Sequence, residues 1–329
     1  MRVVLDSDPS DAEEFFYLHY NPDHWLTRLA LLRAGHDRLE EFRKLVPDDL
    51  PEVDQETMKR VLRAEVHFMY FQMVETLFEL VFAAQRGDPR DLWRVLTLAP
   101  FRRNFERIRR WAEGKEAEIP LLGPVRVEQG NRTWVMPLVQ YAFYFLCGFE
   151  DDPARMKASL PNIVAMMRHF AKDFSDRDEY NAYKHAMRFT HGSFRLNAGG
   201  AVSEELSEQT RGVDTIACIR KSNIEKAASD EHCLTVSFKP FDYERDCRCC
   251  QIIYSLIRNF VDSRRHVLVE RLRKPEVDLT VYDTPGYPEA VVPRLGFTWL
   301  DAIVSTRRKF RRTGGRNPGG TAERIPGTQ

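Results

Sequence analysis

The chain has 329 residues, 43% of them hydrophobic, enough for one large core or two modest ones and too apolar for an unfolded chain. Its 49 Lys and Arg balance 49 Asp and Glu, so no global field marks a nucleic-acid or membrane protein and electrostatics must be argued locally. Six cysteines, three of them crowded at Cys247, Cys249 and Cys250, do not make a disulfide framework, and a reducing cytoplasm is the expected setting.

The first residues turn acidic by Asp6 and Asp8 and carry no apolar run of signal-peptide length. Over 23–46, Trp25, Leu29, Leu32, His36, Leu39 and Phe42 recur at three- and four-residue intervals, which predicts a helix closed by the proline loop at 47–51. Residues 54–85 read as a longer helix, apolar around most of its circumference from Val66 to Phe82 and therefore central. One or two helices follow over 88–114, bent near Pro100, with a basic face of Arg102, Arg103, Arg107, Arg109 and Arg110.

Residues 134–147, 153–174 and 175–188 predict three more helices with short connections, hence antiparallel neighbours. The most apolar window, 134–149, contains Pro137 and Gln140 and falls short of the roughly 20 residues of a membrane span, so no span is expected. The pattern then changes to β-like runs at 193–196, 215–220 and 234–238, separated by Gly199-Gly200 and polar loops. A last long helix runs from Asp242 to about Leu272, with Ile252, Ile253, Leu256, Ile257, Phe260, Val261 and Val267 on its apolar side.

Beyond Lys274, Pro275, Pro285, Pro288 and Pro293 predict an extended segment over 274–306 that wraps the surface, with 297–303 as a docking helix. The basic tail 307–329 lacks the apolar content to fold and is expected to be disordered. The expected fold is mainly α: an antiparallel helical bundle over 1–273 with a small antiparallel β insertion at about 191–240, then the wrapping segment and the disordered basic C-terminal tail.

Between Glu179 and Arg188 the chain concentrates polar chemistry. On a helix turning 100° per residue, Arg177, Asn181, Lys184, His185 and Arg188 fall within an arc of roughly 100°, and Tyr180, Tyr183 and Met187 lie on another. Lys184 and Arg188 could bind a phosphate oxygen by charge-assisted hydrogen bonds, with Asn181 as a neutral donor. His185 could carry a proton, since an unperturbed imidazole titrates near pH ~6.5. A solvated amphipathic face, with His185 bonded to a neighbouring helix, shows the same stripe, and both readings stand.

Arg60 and His67 form a second pair, seven residues apart on the central helix and close in angle to Phe71, Val74 and Phe78. Among apolar residues a cation and an imidazole must meet acidic partners across an interhelical cleft or reach water, because an unpaired buried charge is costly. The plain alternative to a site is an ion pair with a carboxylate elsewhere in the bundle.

An antiparallel bundle bearing Arg60 and His67 with six residues between them resembles the HEPN superfamily, which includes metal-independent ribonucleases of toxin and phage-defence systems and also noncatalytic nucleotide-binding modules. Arg177 and His185 have seven residues between them and miss that spacing. The resemblance implies His67 or His185 as general base on a 2′-hydroxyl, and Arg60, Lys184 or Arg188 stabilising charge on the phosphate, with no metal or other cofactor. It also implies RNA or a nucleotide as partner, with 102–110 and the tail tracking the backbone; a homo-oligomer is compatible.

His232, Cys233, Cys247 and Cys250 supply four ligand types for zinc, but adjacent His232 and Cys233 would point to opposite sides of a strand, and buried thiols are the plainer reading. A glycine-rich phosphate loop, a Glu-x-x-His di-iron pair and a Gly-x-Ser-x-Gly elbow are not found. The expected function is an HEPN-like RNA-associated protein, a metal-independent ribonuclease of a defence or toxin system, and its rival is a noncatalytic helical scaffold or regulatory binding module.

Overall fold

The longest helix starts at Asp54, whose Oδ1 accepts the Thr57 amide at 2.9 Å and satisfies one of the first-turn N–H groups that a helix leaves without partners. The computed structural model describes residues 9–45, 53–85, 92–129, 132–145, 153–184, 189–192, 214–221, 234–270, 277–284 and 300–304. Helix α4, Gln55–Ala84, is the axis on which the rest is packed; Val66, Met69, Tyr70, Val74, Leu77, Phe78 and Val81 are all closed to solvent. An apolar stripe this wide cannot be covered by one neighbour.

Ahead of α4 come α1, Pro9–His19, α2, Asp23–Asp37, and α3, Leu39–Arg43. The one helix expected over 23–46 is broken at Arg38, whose φ of −120° and ψ of 45° leave helical space. After α4, α5, Leu92–Thr97, and α6, Phe101–Ala112, meet at Pro100, which lacks the N–H to continue a helix.

The helix expected over 134–147 is corrected. Strands β1, Pro124–Gln129, and β2, Arg132–Pro137, form an antiparallel hairpin in which Val125 faces Met136 and Val127 faces Trp134. The alternation of Val125, Val127 and Met136, all buried, belongs to a two-residue period, and only past Pro137 does a short helix, α7, Leu138–Phe143, begin. Then come α8, Pro153–Ser175, and α9, Asp178–Lys184.

A second sheet has the order β3-β4-β5-β6, each pair antiparallel: β3 is Phe189–Gly192, β4 Thr215–Lys221, β5 Leu234–Pro240 and β6 Leu300–Val304. The first strand lies at 189–192, ahead of the expected 193–196, which is outside the described residues. The docking helix expected over 297–303 is also corrected, because Leu300 to Val304 pair with Phe238 to Leu234. Ile303 and Val304 are β-branched, and the edge of β5 offers unpaired backbone groups to such a segment.

Helix α10, Tyr243–Arg265, is capped by Asp242, whose Oδ1 accepts the Arg245 amide at 3.0 Å, and passes into a π-helical turn, His266–Glu270. It lies along α4, with α1, α2 and α7 also packed against it. Arg264, fully buried near its end, donates to the carbonyls of Ala142 (2.7 Å) and Tyr141 (3.2 Å) on α7 and lies 3.7 Å over the Phe260 ring. A cation at the carbonyl end of α7 meets the negative end of that helix dipole.

Of the wrapping segment expected over 274–306, residues 277–284 are described as an extended strap. Asn259 on α10 donates to and accepts from the Thr280 backbone (2.7 and 2.9 Å), and Asn162 on α8 donates to the Tyr282 carbonyl at 2.6 Å. Pro161 costs α8 one backbone hydrogen bond, but its flanking Ser159 and Asn162 hold this strap. No helix among the described residues is long and apolar enough to cross a membrane. The basic tail 307–329 lies outside them.

Candidate functional site

Two polar clusters form along α4, one toward α10 and α8 and the other toward α9. In the first, His67, 6% exposed, donates from Nδ1 to Asp246 Oδ2 at 2.7 Å, and the other oxygen of Asp246 accepts Arg245 Nη1 at 3.1 Å. Arg245 Nη2 reaches both Asp173 Oδ2 and His169 Nε2, the latter at 2.7 Å. A guanidinium only donates, so His169 Nε2 accepts and the proton of that ring sits on Nδ1. Tyr70 donates to Asp173 Oδ2 at 2.6 Å, and burial raises its hydroxyl well above the usual tyrosine range. The relay from His67 through Asp246, Arg245 and Asp173 to Tyr70 therefore ties α4, α10 and α8 together. Phe241 (4.7 Å) and the edge of Phe71 (5.0 Å) cover the imidazole.

Arg60 takes no part in this relay. Its Nη2 donates to Thr57 Oγ1 at 3.1 Å on its own helix, and seven residues put it about 10 Å along the axis from His67. The two share an arc, as helical angles require, yet face different surroundings.

The second cluster is centred on Glu75. Its Oε2 accepts Lys184 Nζ at 2.6 Å and the Tyr180 hydroxyl at 3.0 Å, and its Oε1 lies 3.4 Å from Arg177 Nη1. The Arg177 guanidinium is held between the rings of Phe105 (3.9 Å) and Phe174 (4.4 Å), and the Lys184 ammonium lies 4.4 Å over the Tyr180 ring. Burial lowers the Arg177 pKa somewhat despite Glu75, and burial with the Glu75 charge drives the Tyr180 hydroxyl far up. Asn181 follows Arg177 by four residues, its backbone N–H donating to the Arg177 carbonyl at 3.0 Å, so the two side chains share a face of the helix. The Lys184 side chain is 37% exposed, against 14% for Arg177.

Aromatic stacking docks α9 on α4: Phe68 on Tyr183 at 4.0 Å and Phe71 on Tyr180 at 5.6 Å. The two helices carrying the sequence-derived candidates thus meet, but Lys184 is met by Glu75 while His67 is turned to α10. His185 and Arg188 lie outside the described residues. The basic face of α6 is partly neutralised from within: Arg109 pairs with Glu106 at 2.8 Å, Arg110 with Glu118 at 2.9 Å, and Arg107 donates to the Glu118 carbonyl at 2.7 Å. Arg102 and Arg103 are exposed.

Glu75, Asp173, Arg245 and Asp246 were not singled out in the sequence. Their signal was present: Glu75 interrupts an apolar arc, Asp246 precedes a buried cysteine run, and His169 and Asp173 stand four apart on one face of α8. Cys247 and Cys250 are buried in α10, where burial pushes the Cys247 thiol to about 11 and the Cys250 thiol well up, so both are neutral thiols. His232 and Cys233, the other half of the expected zinc set, lie outside the described residues. Among the described residues no group of His, Cys, Asp and Glu is placed to hold a metal. Comparisons of the chain with family models, with curated proteins and with solved structures found no match.

Proposed function

We propose that the chain is an HEPN-like, RNA-associated helical module of the cytoplasm that grips phosphate at the α9 face, with His67 serving the fold. The Glu75 cluster supports this reading best: two cations, Arg177 and Lys184, converge on one carboxylate, and the Lys184 side chain is 37% exposed. An approaching phosphate takes the exposed Lys184 ammonium and the side-chain amide of Asn181, while Glu75 retains Arg177 in its aromatic slot. Recognition of this kind is by charge, salt-dependent and indifferent to base sequence.

A general base must come within hydrogen-bond reach of the proton it takes. His67 is 6% exposed, its Nδ1 engaged by Asp246 and its ring covered by Phe241, so cleavage in this reading falls to His185. The same enclosure of His67 favours a second reading, a noncatalytic binding module.

The test is fluorescence anisotropy of a labelled single-stranded RNA, run beside a cleavage assay in EDTA. Lys184→Met is expected to weaken binding several-fold and lower the salt slope by about one unit. Cleavage lost in His185→Ala and retained in His67→Phe extends the reading to a ribonuclease. Binding without cleavage leaves the noncatalytic module, and a protein that neither binds nor cuts RNA overturns the proposal.

A further inference from the structure

One turn along α4 from Glu75, a second carboxylate stands at the edge of a cavity of about 240 Å³ between α4, α5 and α6. Phe82, Val95 and Leu98 make its apolar part, and Glu79, Arg103 and Arg107 its charged part. Asn104, 4% exposed, donates Nδ2 to Glu79 Oε2 at 2.7 Å and fixes that carboxyl at the wall. Arg107 is engaged already, donating to the Glu118 carbonyl and Gln85 and lying 4.2 Å over the Phe82 ring. Arg103 is exposed and makes no ion pair among the described residues. The cavity is therefore amphipathic, with one guanidinium open to a ligand.

We propose that this cavity binds a small monocarboxylate with an apolar body, its carboxylate shared by Arg103 and the Glu79 carboxyl and its body lying on Phe82, Val95 and Leu98. The site is separate from the α9 face and stands whether or not that face binds RNA. Its volume is the liquid share of about eight waters, room for a single ring or a short chain.

Charge decides the ligand class. The groups acting on Glu79 are Glu75 from its own helix and Asn104 and Arg107 from α6; Arg103 lines the same cavity, and Val95 of α5 and Leu98 just after it present apolar surface. Burial is the largest influence and raises the Glu79 carboxyl to about 7; Glu75 adds to the rise, and the Asn104 hydrogen bond and Arg107 oppose it. Near neutrality Glu79 is thus often protonated, and a protonated carboxyl can donate its O–H to one carboxylate oxygen while Arg103 takes the other. Ionised, it repels the ligand. An ammonium ligand would instead meet two guanidinium groups.

The experiment is calorimetric titration of the full chain with benzoate and with hexanoate from pH 6 to 9, hexylammonium serving as the cationic counterpart. Saturable carboxylate binding is expected, falling about tenfold per pH unit once Glu79 ionises. Glu79→Gln keeps the shape and the Asn104 contact, so binding should persist with that slope abolished. Arg103→Ala, a change at an exposed position, should weaken binding at pH 6 about tenfold or more, and Ala99→Trp at the rim should block it, each variant being checked by its thermal melt. No saturation by either acid up to about 10 mM overturns the proposal. So does an unchanged pH slope in Glu79→Gln, an affinity indifferent to Arg103, or tighter binding of hexylammonium.

Discussion

His67 and Glu75 sit two turns apart on α4 and both anchor ionic clusters, but one cluster is dry at its core and the other reaches water through its cation. Around His67, Arg245 is 3% exposed and Asp246 is fully buried, and water reaches only the outer end of the relay, where the His169 and Asp173 side chains are 22% and 25% exposed. Around Glu75, the Lys184 side chain is 37% exposed, and water can replace either partner. The difference is one of availability: a buried charge is committed to the fold, because freeing it leaves its partner unpaired in a poor solvent. A half-exposed one can be exchanged for a ligand at small cost. This contrast underlies the proposal that the α9 face binds phosphate, while the relay between α4, α8 and α10 gives cohesion.

The largest expected effect breaks the dry cluster. Arg245→Met strands Asp246 and Asp173 together and should cost about 3–5 kcal/mol in urea unfolding. His67→Phe keeps the ring packing but removes the donor to Asp246, and a loss of about 2–3 kcal/mol is expected with RNA binding unaltered. A loss near zero for either would place that cluster in water and undo the contrast.

Glu79 supplies an intermediate case, readable through pH. Its folded pKa of about 7 lies above the ordinary carboxylate value, so the folded state binds the proton more tightly than the unfolded one. Stability from this group is full below the unfolded pKa and falls as pH rises through about 7. Glu79→Gln should therefore be nearly neutral at pH 4 and more stable than the parent at pH 8, by about 1–2 kcal/mol once solvent screening is allowed for. Melts at both pH values check the sign. Smallest is Lys184→Met, expected within about 1 kcal/mol of the parent in stability while its RNA affinity drops.

Much of the helical frame was readable in the residues. The wide apolar run of α4 announces a central helix, and Asp54 and Asp242 each stand as acceptors ahead of periodic segments. What escaped was whatever depends on a partner distant in sequence. The hairpin around Trp134 was hidden because its second strand runs directly into the apolar helix after Pro137 and the two read as one apolar run, and β6 because its strand character is completed by pairing with β5. The grouping of Arg177, Asn181 and Lys184 follows from helical angles alone. Their shared contact with Glu75 does not, since it requires α9 to dock on α4 through Phe68 and Phe71. Likewise the need of His67 for a carboxylate could be stated from its apolar arc, whereas its identity as Asp246 waits on α10 lying along α4.

The position of β6 has a consequence for biosynthesis. Strands β3, β4 and β5 leave the ribosome in sequence, but the neighbour that closes β5 is encoded only after all of α10. Throughout that interval the nascent sheet has an open flank, and its completion waits on a closure of high sequence separation, the slow kind of step. A chain released early, before Leu300 to Val304 are added, would keep that flank and be prone to associate with its own copies, even with its helical core already assembled.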